Sequence, residues 1–262
     1  MSQDRLAGLL AAALLFVLLG AWQLVADLDL VSGRLLPSPT EVVAAFVALL
    51  QRSYFWDELW GTLSVIVGGF IGTAAIGFLL AIGLSMFEFV RRALYPVVVA
   101  GDVIPKITLI PVIIVTFGFG QTSRFIIVVI SAFFPVFISS LTALTSADQA
   151  GDDLLRSMGA SRAQRFRYHR IPQGLPGIFA GLKISLTVSF IVGVVAELLI
   201  RNEGLGYLIN QFREQLQIDF VFAVTVTIGA LGVLLFFLME WLERRVVFWS
   251  DTRTLGSDRV PL

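Results

Sequence analysis

Cysteine is absent from this 262-residue chain, and histidine occurs once, at His169. Without cysteine the chain cannot form a disulfide framework or a metal site built from thiolates. One histidine cannot supply a histidine-rich metal centre, so we expect no metal held by this chain. The formal net charge is zero, which gives nucleic-acid binding no electrostatic support.

Charged residues are scarce as well, because they make up 15% of the chain, whereas soluble domains contain about 25%. Hydrophobic residues reach 57% and the mean hydropathy is +0.87. This composition predicts an integral membrane protein that crosses the bilayer several times.

Lysine occurs only at Lys106, after Pro105, and at Lys183, after Leu182. A phosphate-binding P-loop needs a Gly-Lys pair, so this chain has no P-loop, and ATP hydrolysis would require a separate polypeptide. The sequence also lacks His-Glu-x-x-His and Gly-x-Ser-x-Gly, and Asp102 is the one aspartate within a predicted span. We therefore expect no enzyme activity and no cofactor bound by this chain.

Six segments are long and apolar enough to cross a bilayer, which takes about 20 residues of helix. The predicted spans cover residues 6–26, 59–87, 93–120, 125–147, 176–200 and 220–243. The first is too long for a signal-peptide core, so we expect it to be retained. The pattern predicts an all-α membrane protein with one domain over residues 1–262. Between the first two spans, "LPSPTEVVAAFVALLQR" predicts a short helix capped by Thr40, with Glu41 in its first turn.

Lysine and arginine are unevenly divided between the predicted loops. With the N-terminus inside, 13 of these residues lie on the inner side and five on the outer side. The positive-inside rule then predicts that both termini and the loop at residues 148–175 are cytoplasmic.

That loop contains the polar stretch "GDDLLRSMGASRAQRFRYHRIPQGLP". The pattern predicts a helix over residues 152–158, a glycine of positive φ at Gly159, and a second helix with a capping box of Ser161 and Gln164. Pro172 and Pro176 are expected to end this helix and begin the next span. The alternative is an unstructured basic loop that only obeys the positive-inside rule.

The stretch resembles the cytoplasmic signature loop of permease subunits in binding-protein-dependent ABC importers. That pattern is Glu-Ala-Ala, three residues, Gly, nine residues, Ile, one residue and Leu-Pro. Here Asp153-Leu154-Leu155 stands at the Glu-Ala-Ala, while His169 replaces the isoleucine. These departures imply a bulkier, more polar surface, tuned to its own ATPase. The resemblance assigns ATPase coupling to Asp152, Asp153, Leu154, Leu155, Met158, Gly159, Ala160, Ser161, His169 and Pro172.

Other stretches narrow the resemblance to the nitrate/sulfonate/taurine/bicarbonate group of permeases. They include "LLPSPTEVVAAF", "LIPVIIVTFGFG", "FFPVFISSL", "VVAELLIRNEGLGYLI" and "LERRVVFW", in the same order along the chain. The resemblance implies a six-span, type I (MetI-like) importer permease of the inner membrane that forms a homodimer. It further implies two ATPase subunits that hold ATP and Mg, and a periplasmic or lipid-anchored solute-binding protein. The implied solute is small and anionic, such as taurine, an aliphatic sulfonate or nitrate. The rival hypothesis is an ion-gradient-driven transporter or channel, and inverted repeats in the sequence would support it.

The third predicted span contains the charged pair Asp102 and Lys106, four residues apart. A cation at this depth is costly and is therefore a functional candidate. Pro105 and Pro111 weaken the helix, and broken helices commonly line cavities. Two interpretations stay open: a translocation path that attracts an anion, or a structural ion pair.

The fifth predicted span carries a small residue at every fourth position, followed by a glutamate. The row consists of Gly177, Gly181, Ser185, Ser189, Gly193 and Glu197. Small residues at this spacing let helices approach closely. One hypothesis is a movable helix beside the path, with Ser185 and Ser189 facing it and Glu197 near the outer gate. The alternative is ordinary tight packing inside one subunit.

The outer loop after this span, residues 201–219, contains two glycines and mixed charge. It suits either a contact with the delivery protein or a short helix on the membrane surface.

Overall fold

The computed structural model describes residues 3–28 and 36–249, and within these ranges the chain is helical and contains no strand. Residues outside these ranges include Arg34, Arg253 and Arg259, which entered the charge count. The described helices are α1 (Gln3–Asp27), α2 (Pro39–Leu50), α3 (Ser53–Ser85), α4 (Glu88–Val103), α5 (Ile110–Phe117), α6 (Gln121–Thr145), α7 (Gln149–Ser157), α8 (Arg162–Arg165), α9 (Ile171–Ile200), α10 (Leu205–Glu214) and α11 (Ile218–Val246).

Four helical segments of the described residues are long and apolar enough to cross a membrane. They are Ser53–Ser85, Gln121–Thr145, Arg162–Ile200 and Ile218–Val246. These contain the fifth and sixth predicted spans and all but the last two residues of the second and the fourth, and α1 contains the first. The protein is therefore an all-α integral membrane protein, as the composition predicted.

The third predicted span is a broken helix. Pro96–Val103 and Lys106–Phe117 are together long and apolar enough for one membrane span, and they meet at an angle of 76°. Ile104 has extended backbone (φ −64°, ψ 126°), the conformation that a following proline imposes. Pro111 lies in the first turn of α5, where its missing N–H needs no partner. The two prolines thus act as predicted.

The chain divides into two compact units, each made of two segments. Unit one consists of Met1–Thr62 and Glu197–Leu231, and unit two of Leu63–Ala196 and Gly232–Leu262. The single domain expected from the sequence remains a prediction.

In unit one, the N-cap of α2 lies two residues earlier than the sequence suggested. Ser38, not Thr40, is the N-cap: its hydroxyl accepts from the N–H of Glu41, and the Glu41 side chain accepts from the N–H of Ser38. Pro39 is already suited to the first helical position, which moves the cap back to Ser38.

The loop after α9, in unit one, contains α10, an amphipathic helix whose apolar face is buried in the unit. Leu205, Leu208 and Phe212 are buried, and Phe212 stacks on Phe220 with ring centroids 5.0 Å apart. The short helix is present as predicted, but these apolar side chains pack against protein.

In unit two, small residues bring α9 close to α6. A Cβ added at Gly177 would lie 2.8 Å from the Cβ of Ala143, and one added at Gly181 would collide with Ser139. A Cβ at Gly193 would lie 2.8 Å from a side-chain carbon of Ile66 on α3. The close approach predicted from the small-residue row is confirmed. Movement of α9 remains a prediction.

The polar stretch forms two helices around Gly159, but its ends differ from the prediction. The first helix, α7, begins at Gln149, three residues earlier than expected. The second helix, α8, does not end at the prolines: it continues through a π-helical segment, Phe166–Arg170, directly into α9. The π turn joins the N–H of Ile171 to the carbonyl of Phe166. Pro172, which has no N–H, directly follows this turn, so the change in hydrogen-bond register coincides with the residue that cannot donate.

Candidate functional site

The turn at Gly159 is a complete helix stop. Gly159 has φ +82°, and its N–H donates to the carbonyl of Arg156 at 3.0 Å. The N–H of Ala160 donates to the carbonyl of Leu155, also at 3.0 Å. These two bonds form a Schellman motif, which requires a residue that tolerates left-handed backbone. Ser161 then starts α8 with the predicted capping box, since its hydroxyl accepts from the N–H of Gln164. The geometry fixes the angle between α7 and α8.

The start of α7 is tied to the π segment through His169. Asp148 caps α7 by accepting from the N–H groups of Ala150 and Gly151 at 3.2 and 3.1 Å. The Nε2–H of His169 donates to the Asp148 carbonyl at 3.0 Å. The imidazole ring occupies the place where Gly151 would otherwise carry a Cβ. His169 therefore holds the two helices together, and sequence reasoning missed both partners. An aspartate before two further acids is a helix N-cap signal that could have identified Asp148.

A second tie runs through Asp152. Arg165 donates to its Oδ2 at 2.6 Å, and Arg170 donates to the same oxygen at 3.3 Å. Both Asp152 and Arg165 side chains are 16% exposed. The resemblance assigned Asp152 to ATPase coupling and named no partner for its side chain. Its partners lie 13 and 18 residues away, so no local pattern reveals them.

Apolar side chains project from this helix pair into solvent. Leu154, Met158 and Tyr168 are 61%, 75% and 68% exposed. A shallow cavity of about 320 Å³ lies beside them, and its lining residues are Leu155, Met158, Gly159, Ala160, Gln164 and Tyr168. We call Leu154, Met158, Tyr168 and this cavity the docking face. Tyr168 was not among the predicted coupling residues. Of the other predicted residues, Asp153 is exposed and Pro172 is half-buried.

Lys106 and Asp102 form an ion pair at the bend of the broken helix. The Lys106 Nζ lies 2.5 Å from Asp102 Oδ1, and the lysine also donates to the Asp102 carbonyl. The ammonium lies 4.9 Å from the ring centroid of Phe134. The side chains of Lys106 and Asp102 remain 17% and 43% exposed, so both predicted roles, path lining and local neutralisation, are compatible with this geometry.

Ser185 and Ser189 are fully buried in unit two. Ser185 donates to the carbonyl of Ala132 on α6 at 2.9 Å. In this conformation neither serine presents a surface to a solute, and both lie in the helix packing that was the alternative interpretation.

Glu197 is also fully buried, in a hydrogen-bonded cluster of unit one. Its Oε2 accepts from the hydroxyl of Thr62 at 2.9 Å and from the N–H of Gly206 at 3.0 Å. The Thr62 oxygen in turn accepts from the N–H of Leu205 at 2.8 Å. Gly204, with φ +98°, passes so close to the Glu197 carboxylate that a Cβ there would collide with it. Glu197 thus holds the loop after α9, a role that the sequence did not predict.

The chain is an all-α membrane protein in which a capped helix pair leads directly into a long apolar helix. These features are those of one class of protein, the permease subunit of an ABC importer. The chain belongs to the family described as binding-protein-dependent transport system inner membrane component, whose model matches residues 73–248. It is accordingly a multi-pass inner-membrane component of an importer, and its relatives are permease proteins, not ATPases.

Several curated relatives match most of the chain. The formylaminopyrimidine transport permease protein ThiX of Halalkalibacterium halodurans is 34% identical over 215 residues, which cover 82% of this chain and 86% of the relative. The taurine transport system permease protein TauC of Escherichia coli is 31% identical, covering 92% and 89%. The putative aliphatic sulfonates transport permease protein SsuC of Bacillus subtilis is 30% identical, covering 90% and 86%.

Solved structures share the fold at lower identity. An inward-facing MetNI methionine ABC transporter chain matches with a TM-score of 0.60 and 21% identity, covering 74% of this chain and 95% of that one. A bacterial alginate ABC transporter, solved in complex with an alginate-bound periplasmic protein, matches with a TM-score of 0.62 and 17% identity, covering 93% and 96%. The predicted importer-permease fold is confirmed.

Proposed function

We propose that this chain pairs with a second copy of itself to form the translocation path for a small anionic solute. A periplasmic or lipid-anchored binding protein delivers the solute at the outer side. Two ATPase subunits, which hold ATP and Mg, dock on the α7–α8 helix pair at the cytoplasmic side. Both termini are cytoplasmic in this arrangement, as the 13-to-5 division of basic residues supports.

The exposed docking face is the observation that carries this proposal. Leu154, Met158 and Tyr168 leave large apolar surfaces in solvent within an otherwise polar segment. Exposed apolar patches rimmed by polar groups are typical of protein–protein contacts, and a short helix in a partner's groove is a common form of such contacts.

The helix pair is also built to transmit force. The Schellman motif at Gly159 fixes α7 against α8, and Asp152 joins α7 to Arg170 at the entry of α9. Because hydrogen-bonded helix runs without a break from Arg162 to Ile200, displacement of α7 acts directly on a membrane helix. ATP-driven closure of the partner subunits would in this way alternate outward and inward access.

The docking face is tested with Leu154→Asp and Met158→Asp in the full chain, co-expressed with its cognate ATPase subunit. We expect loss of ATPase co-purification and of ATP-driven uptake into proteoliposomes, because a carboxylate would be desolvated in the contact. Leu216→Asp is the matched control, since Leu216 is 78% exposed but lies in the loop after α10. Retained ATPase binding in both docking-face variants contradicts the proposal. Uptake that needs an ion gradient and no ATPase would instead support a secondary transporter.

Lys106 supports an anionic solute, since its ammonium stays partly exposed at the bend of a broken helix. Two of the relatives are named for taurine and aliphatic sulfonates, while ThiX is named for formylaminopyrimidine. Lys106→Met is expected to reduce uptake of taurine or an alkanesulfonate, and Lys106→Arg to preserve most of it, because arginine keeps the charge. Equal uptake by the Met variant, with normal assembly, would refute this role and leave a structural ion pair.

A further inference from the structure

Unit two contains a larger cavity on the helix pair, of about 460 Å³. Its lining residues are Ser85, Met86, Phe87, Asp152, Arg162, Arg165, Phe166 and Arg170. We call it the arginine cavity. None of these residues lines the shallow cavity of the docking face, so an occupant of the arginine cavity need not compete with an ATPase at that face.

The charge in the arginine cavity is unbalanced. Three guanidinium groups face one carboxylate, and Asp152 already accepts from Arg165 and Arg170. Within the part of the chain that the structure describes, Arg162 has no ion-pair partner. Each guanidinium carries five N–H donors, and the bonds to Asp152 Oδ2 use one donor of Arg165 and one of Arg170, so most donors remain available. Guanidinium groups bind phosphate oxygens in a paired, planar geometry. The cavity therefore suits a compact oxyanion.

Part of the cavity lining is apolar and continues onto an exposed surface. It consists of Met86 and Phe87, in the turn that ends α3, and Phe166 of the π segment. Met86 and Phe87 are exposed, as is the neighbouring Phe89. Because α3 crosses the membrane, its end lies where hydrocarbon gives way to headgroups. A basic pocket bordered by apolar side chains at this depth is the setting in which anionic lipid headgroups bind.

We propose that the arginine cavity binds a phosphate group, and that an anionic phospholipid supplies it. The phosphate contacts Arg162 and the free donors of Arg165 and Arg170, while an acyl chain lies on Met86 and Phe87. The lipid then shares two arginines with Asp152, the residue that ties α7 to α9. Occupancy of the cavity by lipid is thus linked to the stiffness of the helix pair.

The test measures lipid binding to the purified full chain by native mass spectrometry during titration with phosphatidylglycerol or phosphatidylcholine. We expect a preference for phosphatidylglycerol in the unaltered protein. Arg162→Gln should weaken that binding about tenfold, because it removes one charged hydrogen-bonding group. Arg167→Gln removes the same charge from an exposed arginine that lies over Tyr168 and outside the cavity, and it should change binding less than about twofold.

Competition with millimolar inorganic phosphate distinguishes the source of the phosphate. Displacement by free phosphate, with equal retention of both lipids, would overturn the lipid assignment in favour of a soluble phosphate compound. Equal effects of Arg162→Gln and Arg167→Gln would overturn the cavity itself, since only overall charge would then matter. If Arg162→Gln misfolds, Met86→Gln tests the apolar wall with the arginines intact, and unchanged phosphatidylglycerol binding would count against it. The assay contains neither ATPase nor solute, so its failure leaves the proposed transport function unaffected.

Discussion

Replacement of Gly204 by alanine tests how Glu197 holds the loop after α9. Gly204 has φ 98° and ψ 172°, and a Cβ there would collide with the carboxylate of Glu197. Gly118 supplies the matched control, because it has φ 82° and ψ 178° and no atom lies within 4 Å of an added Cβ. The two alanine variants share the backbone penalty, and only the one at Gly204 adds a collision.

The expected free-energy costs follow from these geometries. A backbone region that is nearly exclusive to glycine costs alanine about 1–3 kcal/mol, so Gly118→Ala should destabilise the protein by about that amount. At Gly204 the carboxylate of Glu197 must also move, and it accepts from Thr62 and the N–H of Gly206. Hydrogen bonds to a charged group contribute about 1.5–3 kcal/mol each. Gly204→Ala should therefore cost about 4–9 kcal/mol.

The assay is equilibrium unfolding of each variant in mixed detergent micelles, completed as a double-mutant cycle with Glu197→Ala. In the Glu197→Ala background the collision is absent, so Gly204→Ala should cost only the backbone penalty of about 1–3 kcal/mol. The reasoning is refuted if Gly204→Ala costs no more than Gly118→Ala. It is equally refuted if the cost at Gly204 is the same with and without the Glu197 carboxylate.

Three further predictions have defined outcomes. Gly159 ends α7 in left-handed backbone, so Gly159→Ala should cost about 1–2 kcal/mol. Gly118→Ala, in the backbone region that is nearly exclusive to glycine, should cost about 1–3 kcal/mol, but only Gly159→Ala should weaken ATPase co-purification; equal weakening would contradict a coupling role. The Lys183 Nζ lies 2.7 Å from Glu243 Oε2 and joins α9 to α11, so Lys183→Met should lower the unfolding free energy by about 1–3 kcal/mol. Adding Glu243→Met should recover part of that loss, and a double variant less stable than Lys183→Met would disprove the pairing. Ser189→Leu should impair folding, measured as yield of monodisperse protein, because Ser189 is fully buried; normal yield and uptake would argue against close packing.

Local sequence signals predicted much of the helix pair. Gly159 and the capping box of Ser161 and Gln164 lie within a few residues of the backbone groups that they satisfy, so a pattern can reveal them. The end of α8 was predicted wrongly, because prolines normally stop helices. The π turn at Phe166–Arg170 shifts the hydrogen-bond register just before Pro172, and no residue type announces such a turn.

The buried clusters depend on contacts between distant parts of the chain. Thr62 meets Glu197 across 135 residues, and neither position carries a motif for the other. The glutamate was recognisable as costly at that depth, so the sequence identified a special residue and misjudged its surroundings. Predicting the surroundings of Glu197 requires the path of the chain after α9, because that path brings Gly204 and Gly206 against the Glu197 carboxylate.

Asp152 has a mechanical consequence that follows from where its two arginines lie. Arg165 is the residue before the π segment and Arg170 is its last residue. One carboxylate therefore bonds to arginines at both ends of the π segment. A π turn resists twisting less than α-helix, since its hydrogen bonds are less favourable. When both arginines are bonded to Asp152, a rotation of α7 would be transmitted to α9 as torque. When those bonds are broken, the π turn would twist and absorb that rotation. The Asp152 carboxylate would then control the torsional coupling between the helix pair and the membrane helix, depending on what competes for its arginines.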